Sequence, residues 1–348
     1  MLANELMQLI ELIKFTGLTI SSFNQLPKYS INPITPINSI NSINSINSIN
    51  SIILLLLCLC VPGCSIRRYA FNKAANIVAQ SGTTFSSDDD PDLVRAAVPF
   101  SLKLTESFLA NTPKHVGLLT AATSGFTRYA YAFVQQDADE LEPTDLAAAD
   151  ILRARARRLY LRAHRYGMRA LEVQHPGFGA ELLSHPAQAA VRANKMDVPL
   201  LYWTAVAWGG AISLSKDNPE LLGQIPAMEA LIERALELNE SYSRGAIHTF
   251  LITYEMSKPG AKGAHELTAR KHFDRAVTLS KETDPSPFVA LAEAVTVGKQ
   301  DAQEFESSLN RALAIDADKN PANRVVTLVM QRRARWLLSR KDELFLAK

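Results

Sequence analysis

Beyond residue 64 the sequence has no cysteine. The 348-residue chain holds only three, Cys58, Cys60 and Cys64, and they fall within one short stretch. A disulfide framework is therefore excluded for the rest of the chain, which must hold itself together by packing. Glycine is scarce at 15 residues and aromatics make up only 7%. Few segments alternate apolar and polar residues with β-branched enrichment, so sheets are disfavoured. Abundant alanine and leucine point to helices. The formal net charge is only +2, so no strong field calls for nucleic acid or an acidic membrane surface. No apolar run reaches the roughly 20 residues of a membrane span. There is no Gly-x-Ser-x-Gly elbow, no glycine-rich phosphate loop and no His-Glu-x-x-His. With no nucleophile, base or metal set in view, the reading is a non-enzyme with no catalytic residue, no metal and no cofactor.

What the sequence does contain begins with a processing signal. Ile52 to Cys60 is a nine-residue apolar run. That is too short to span a bilayer and the right length for the core of a secretory signal, about 7 to 15 residues. It is followed by Val61-Pro62-Gly63-Cys64, which has the form of a bacterial lipobox: an apolar residue three before the cysteine and a small one just before it. The expectation is cleavage before Cys64 and acylation of its sulfur. Two or three acyl chains would anchor durably where one would not. Ser65, in place of an aspartate, favours outer-membrane delivery. Upstream, residues 37–51 are five copies of Ile-Asn-Ser, a low-complexity tract with no core-forming period. Residues 1–63 carry two lysines and two glutamates, so a basic start to the signal is missing. The true start is expected inside or after the repeat. Residues 1–63 are set aside as leader, and 64–348 are taken as one all-helical domain.

Along that domain helix signals recur. A first helix is expected at 65–80 and a polar loop at 81–91. Asp90-Pro91 is an N-cap followed by proline at the first helical position. Further starts are read after Asn111, at Thr144 and at Asp197-Val198-Pro199. The 145–173 helix is basic, with Arg153, Arg155, Arg157, Arg158, Arg162, Arg165 and Arg169. It is a polyanion surface or, more simply, a solvated and acid-paired face. Residues 174–196 read as a loop with a helical turn. The spacing Met228, Leu231, Ile232, Ala235, Leu236 is an amphipathic stripe. The total is about ten helices and no convincing strand.

A weak repeat runs through them. Arg-Ala-Leu-Glu occurs at 169–172 and 234–237, Arg-Ala-Val-Thr at 275–278 and Arg-Ala-Leu-Ala at 311–314. The last three start 41 and 36 residues apart. Such a period, with two helices per unit, suggests a tetratricopeptide-like array of antiparallel helix pairs.

The candidate site is the stretch PLLYWTAVAWGGAISLS, residues 199–215. It holds two of the three tryptophans, Trp203 and Trp208. Five helical residues turn about 140° past one full turn, so the two do not share a narrow face. Gly209-Gly210 interrupts an apolar helix at a cost of about 1 kcal/mol each relative to alanine. Either helices approach closely here with the aromatics in the core, or an aromatic-lined groove runs beside the backbone. The candidate lining is Tyr202, Trp203, Trp208, Gly209, Gly210, Lys216 and Tyr254. His265 and His272, seven residues apart, lack a third ligand and make a poor metal site. Asp88-Asp89-Asp90 is a solvated loop ending in a cap.

The block LYWTAVAWGGAISLSKDNPELLGQIPAMEALIERALELNESYSRGAIHTFLITYEM resembles the T-component (TatT) family of TRAP transporter accessory lipoproteins. So do LTARKHFDRAVTLSKETDPSPFVALAEAVTVGKQDAQEFESSLNRALAID and the tail NPANRVVTLVMQRRARWLLSRKDELF. The most specific parts are Tyr202-Trp203 to Gly209, Gly245-Ala246 and Arg333-Ala334 to Leu338. The segment Pro259-Gly260-Ala261-Lys262-Gly263 departs from the family's Gly-Gly-Asp-like turn. The resemblance implies a periplasmic lipoprotein of tetratricopeptide-like helix pairs. It also implies a homotrimer with a central pore, a TRAP solute-binding protein as partner, and a carboxylate or hydrophobic ligand. The alternative is a scaffold lipoprotein for envelope assembly with no transport role.

Overall fold

Proline and short polar side chains decide where the helices start. The computed structural model describes residues 82–258 and 262–346, together with Lys73, Asn76 and Ile77. The leader, Cys64 and most of the expected 65–80 helix lie outside the described residues. Helix α1 (Pro91–Asn111) begins where Asp90 accepts hydrogen bonds from the backbone of Asp92 and Leu93, as the Asp-Pro pair predicts. Helix α2 (Val116–Tyr129) is capped by His115, which accepts from the Leu118 N–H. The chain then runs without a break through a π-helical stretch, Ala130–Gln135, into Gln136–Leu141. Helix α3 (Leu146–Gln174) is capped by Asp145, not by Thr144, because the carboxylate accepts from the Ala148 N–H. The expected polar loop at 81–91 contains a turn of helix, Gly82–Ser86, whose Phe85 packs on the core. Two short helices, Phe178–Ser184 and Pro186–Val191, occupy the region read as loop.

Helix α4 (Val198–Ser213) starts at Val198-Pro199, as read from the sequence. It is followed by α5 (Ile225–Asn239), α6 (Ala246–Ser257), α7 (Lys262–Ser280) and α8 (Ser286–Leu291). A second π-helical stretch, Ala292–Thr296, extends α8, and α9 (Ala302–Leu313) and α10 (Arg324–Ser339) complete the main elements. No strand occurs among the described residues, so the fold is all-α. The basic face of α3 is partly acid-paired. Arg153 meets Glu142 at 2.8 Å, Arg162 lies 3.5 Å from Glu106, and Arg155, Arg158, Arg165 and Arg169 are exposed.

Small residues let the helices approach. Along α3 the buried positions are Ala149, Ala156, Tyr160, Ala163, Gly167, Ala170 and Leu171, and this seam packs against both α2 and α4. A Cβ on Gly167 would sit 2.2 Å from the Thr204 hydroxyl, so only glycine fits. The main core joins α1 to α6 and takes in Val325 and Val329 of α10. A second cluster gathers Phe288, Phe305, Leu309, Met330 and Ala334 from α8, α9 and α10. Between α10 and the α2 extension runs an ionic seam. Arg332 reaches Asp137 at 3.0 Å and Glu140 at 2.6 Å, while Arg333 reaches Asp139 at 2.9 Å and Glu293 at 2.6 Å. Arg95 of α1 also pairs with Asp137.

Candidate functional site

Helix α2 carries Gly117, Thr120, Ala121 and Ser124 at the spacing i, i+3, i+4, i+7, which places them on one face. Larger apolar residues there would close the face against α4. These small ones leave a cleft of about 430 Å³ instead. Helix α4 supplies the opposite wall with Pro199, Leu200 and Trp203, and Tyr242 closes one side. The volume is in the range of pockets for small organic ligands, about 300 to 1,000 Å³.

One helical turn past Ser124, on the same face, stands Arg128. Its guanidinium lies over the Trp203 ring, 4.5 Å from the centroid. Trp203 meets Tyr202 edge-on with centroids 4.9 Å apart, and Tyr202 lies 5.4 Å from Tyr242. Arg128 keeps access to solvent. Burial raises the phenol of Tyr202, with Tyr242 adding to the rise and Arg128 opposing it. Burial also raises Tyr242, against a hydrogen bond from Trp203 and the charge of Arg128. Both phenols are therefore neutral in ordinary conditions and can donate. No carboxylate pairs with Arg128 among the described residues. The recess thus has an aromatic wall of Trp203 and Tyr242, and Arg128 is exposed over the Trp203 ring. It can bind and orient a ligand.

The candidate residues separate by position. Tyr202 and Trp203 come together at the recess, and Tyr202 is mostly buried behind it. Trp208 is 1% exposed. Its indole donates to the Gln224 side chain at 3.1 Å, and the His164 ring lies 4.2 Å away. Gly209 and Gly210 are close-approach positions: added Cβ atoms would fall 3.1 Å from Phe250 and 2.9 Å from Tyr160. Their helix-propensity cost is offset by this packing. Lys216 is exposed beyond the end of α4. Tyr254 donates to Glu229 at 2.6 Å and stacks on Phe250, and it does not line the cleft. His265 meets Glu255 at 3.3 Å while His272 meets His248 at 2.8 Å, so the two histidines have separate partners. No group of three or more His, Cys, Asp or Glu suited to a metal ion occurs among the described residues.

The sequence reading missed Arg128 and Tyr242. A signal for Arg128 existed: it is the only charged residue between His115 and Asp137. A lone cation in so long an uncharged helical stretch has no neighbour along the helix to neutralise it.

Among known proteins, the family described as TRAP transporter T-component matches residues 87–345. A protein of Treponema pallidum (strain Nichols), itself described as uncharacterized, is 31% identical over 307 residues. That alignment spans 83% of this chain and 95% of the Treponema protein.

Proposed function

Since this chain belongs to the TRAP transporter T-component family, we propose that it is a non-catalytic, lipid-anchored accessory protein of a TRAP-type transport system. Its place is the periplasmic side of a membrane, held by acyl chains on Cys64. Ser65 favours the outer membrane. Among the described residues no helix is long and apolar enough to cross a membrane, which is compatible with attachment by lipid. The helices serve as a tetratricopeptide-like scaffold for a homo-oligomer, a trimer by analogy with the family. Its partner is the system's solute-binding protein, and its cleft receives or passes a small ligand.

The observation that carries the ligand role is the cleft between α2 and α4, with Trp203 in its wall. A packed helix pair would have filled this space. The groove residues of this proposal are Trp203 and Tyr242, with Tyr202 buried behind them. Trp208, Gly209 and Gly210 shape the helix behind them.

A mild-detergent pull-down of the tagged lipoprotein from its native membranes, followed by mass spectrometry, tests the partner. Near-stoichiometric recovery of a TRAP solute-binding protein is the expected result. Recovery of envelope-assembly machinery in its place would contradict the transport role and favour the scaffold alternative.

A further inference from the structure

From the arrangement of charge on α3 we infer that the exposed face of this helix is an interaction surface for anionic phospholipid headgroups, and that it orients the protein on the bilayer. This rests on the reading of a lipid-anchored protein and deepens it. The small net charge of the whole chain conceals how that charge is distributed.

Three observations lead to it. The first is register. Arg155, Arg158, Arg162, Arg165 and Arg169 fall at i, i+3, i+7, i+10 and i+14 of α3, so they share one face. At 1.5 Å per residue the stripe is about 21 Å long. The opposite face carries the buried alanine seam that packs on α2 and α4. The second is valence. Arg155, Arg158, Arg165 and Arg169 are exposed and pair with no carboxylate among the described residues. Arg162 lies 3.5 Å from Glu106, which Lys103 also holds at 2.6 Å. Arginines on other helices meet acids. On α7, Arg270 has Glu304 at 2.6 Å and Glu266 at 3.0 Å, and Arg275 has Glu240. On α10, Arg332 has Asp137 and Glu140. The third is Ile151. It lies on the arginine face, one turn before Arg155, and is 70% exposed.

Like charges one turn apart on a helix repel, so this stripe is costly until anions meet it. A cluster of four or more basic side chains is what a negatively charged leaflet attracts, and each adds about fivefold to partition once within a Debye length of the surface. An apolar side chain among them fits the boundary between headgroups and acyl chains. No carboxylate clamps the four exposed guanidiniums. That suits headgroups, which move laterally to meet them, over a rigid acidic surface that would have to match their spacing. Cys64 is joined to the described body by residues 65–81, a tether of at most about 60 Å. Such a tether confines the protein to the membrane without choosing the face that meets it. The charge on α3 makes that choice.

The test uses the protein purified from its native membranes and placed on vesicles of phosphatidylcholine, alone or with about 30 mol% phosphatidylglycerol to make the surface negative. The chain has no cysteine beyond Cys64, so Ile151→Cys on the stripe and Lys216→Cys beyond the end of α4 each offer one position for a fluorophore. Nitroxide-labelled headgroups quench a dye that touches the surface. The dye at position 151 should be quenched at least about threefold more on the anionic vesicles than on the neutral ones, and about 0.5 M salt should remove the difference. Replacing Arg155, Arg158, Arg165 and Arg169 together by glutamine should also remove it. The dye at position 216 should not respond to lipid charge. Equal quenching at 151 on both vesicles, an undiminished difference in the glutamine variant, or an equal response at 216 would overturn the inference. Displacement of the labelled face from anionic vesicles by a DNA duplex at matched phosphate concentration would overturn the assignment to lipid. Flotation with neutral vesicles tests the anchor separately. Protein that floats only with anionic vesicles, and not after the glutamine replacements, would remove the anchor and keep the inference. Protein that floats with neither would overturn both. Thermal melting checks the fold of the glutamine variant. Should that variant not fold, wild type in high salt decides: quenching that persists there overturns the inference.

Discussion

Two arginines in this molecule lie over tryptophans at nearly the same distance. Arg128 stands 4.5 Å from the Trp203 centroid, and Arg333 stands 4.3 Å from that of Trp336. Their surroundings differ in one respect. Arg333 is clasped by Asp139 and Glu293, and its neighbour Arg332 by Asp137 and Glu140. Arg128 lies over an indole and pairs with no carboxylate among the described residues. The pairing lifts the pKa of Arg333 despite its burial, whereas Arg128 is exposed to solvent. The seam joins the α2 extension to α10 and so serves the fold. At the recess, the same stacked pair is left with donors to offer.

The largest expected effect sharpens the contrast within the helix that walls the recess. Trp208→Ala removes a fully buried side chain and an indole hydrogen bond, and should destabilise the protein by about 3 to 5 kcal/mol in urea unfolding. Next is Arg333→Met. It leaves Asp139 and Glu293 without this partner in a partly buried seam. The expected loss is about 3 kcal/mol, discounted from a fully buried pair because both acids keep some exposure. A loss below about 1 kcal/mol would show that the seam is ornamental and would break the comparison.

A pH effect comes third. His164 packs on Trp208, behind the recess wall, and burial lowers its pKa to about 4. An unfolded histidine takes up a proton near pH 6.5. The unfolded chain therefore binds more protons in the window between these values. Stability is present above about pH 6.5 and is lost as the pH falls toward 4. Unfolding curves at pH 7 and pH 5 should show a drop that His164→Phe reduces, the remainder falling to His248 and His272, whose pKa values burial also lowers. Equal drops in wild type and variant would assign the acid sensitivity to other groups. The smallest stability effects are expected at the recess. Trp203→Ala should cost about 1 kcal/mol, the scale of its aromatic contacts. A loss as large as that for Trp208→Ala would return Trp203 to the core.

How much of this was legible beforehand depends on which forces wrote it. The all-α class followed from composition, and the starts of α1 and α4 from Asp90-Pro91 and Val198-Pro199, because caps and prolines act locally. The cap at Asp145 in place of Thr144 was a choice between adjacent polar side chains that only backbone geometry settles. The π-helical stretches at 130–135 and 292–296 left no mark that a 3.6-residue period could detect. The 140° between Trp203 and Trp208 announced that they face different ways, but not which one meets the core. Tyr254 and Lys216 stood among the candidate lining residues, and neither lines the α2–α4 cleft. Arg128 is legible only in retrospect. Its isolation is visible along the chain, but its lack of an acid partner depends on residues brought close by folding.

The central claim is that Trp203 serves the α2–α4 cleft and Trp208 serves the core. The measurement that tests it most directly is urea unfolding of wild type, Trp203→Ala and Trp208→Ala. The account predicts a loss of about 1 kcal/mol for Trp203→Ala and about 3 to 5 kcal/mol for Trp208→Ala. Equal losses in the two variants would contradict it and make Trp203 a core residue like Trp208.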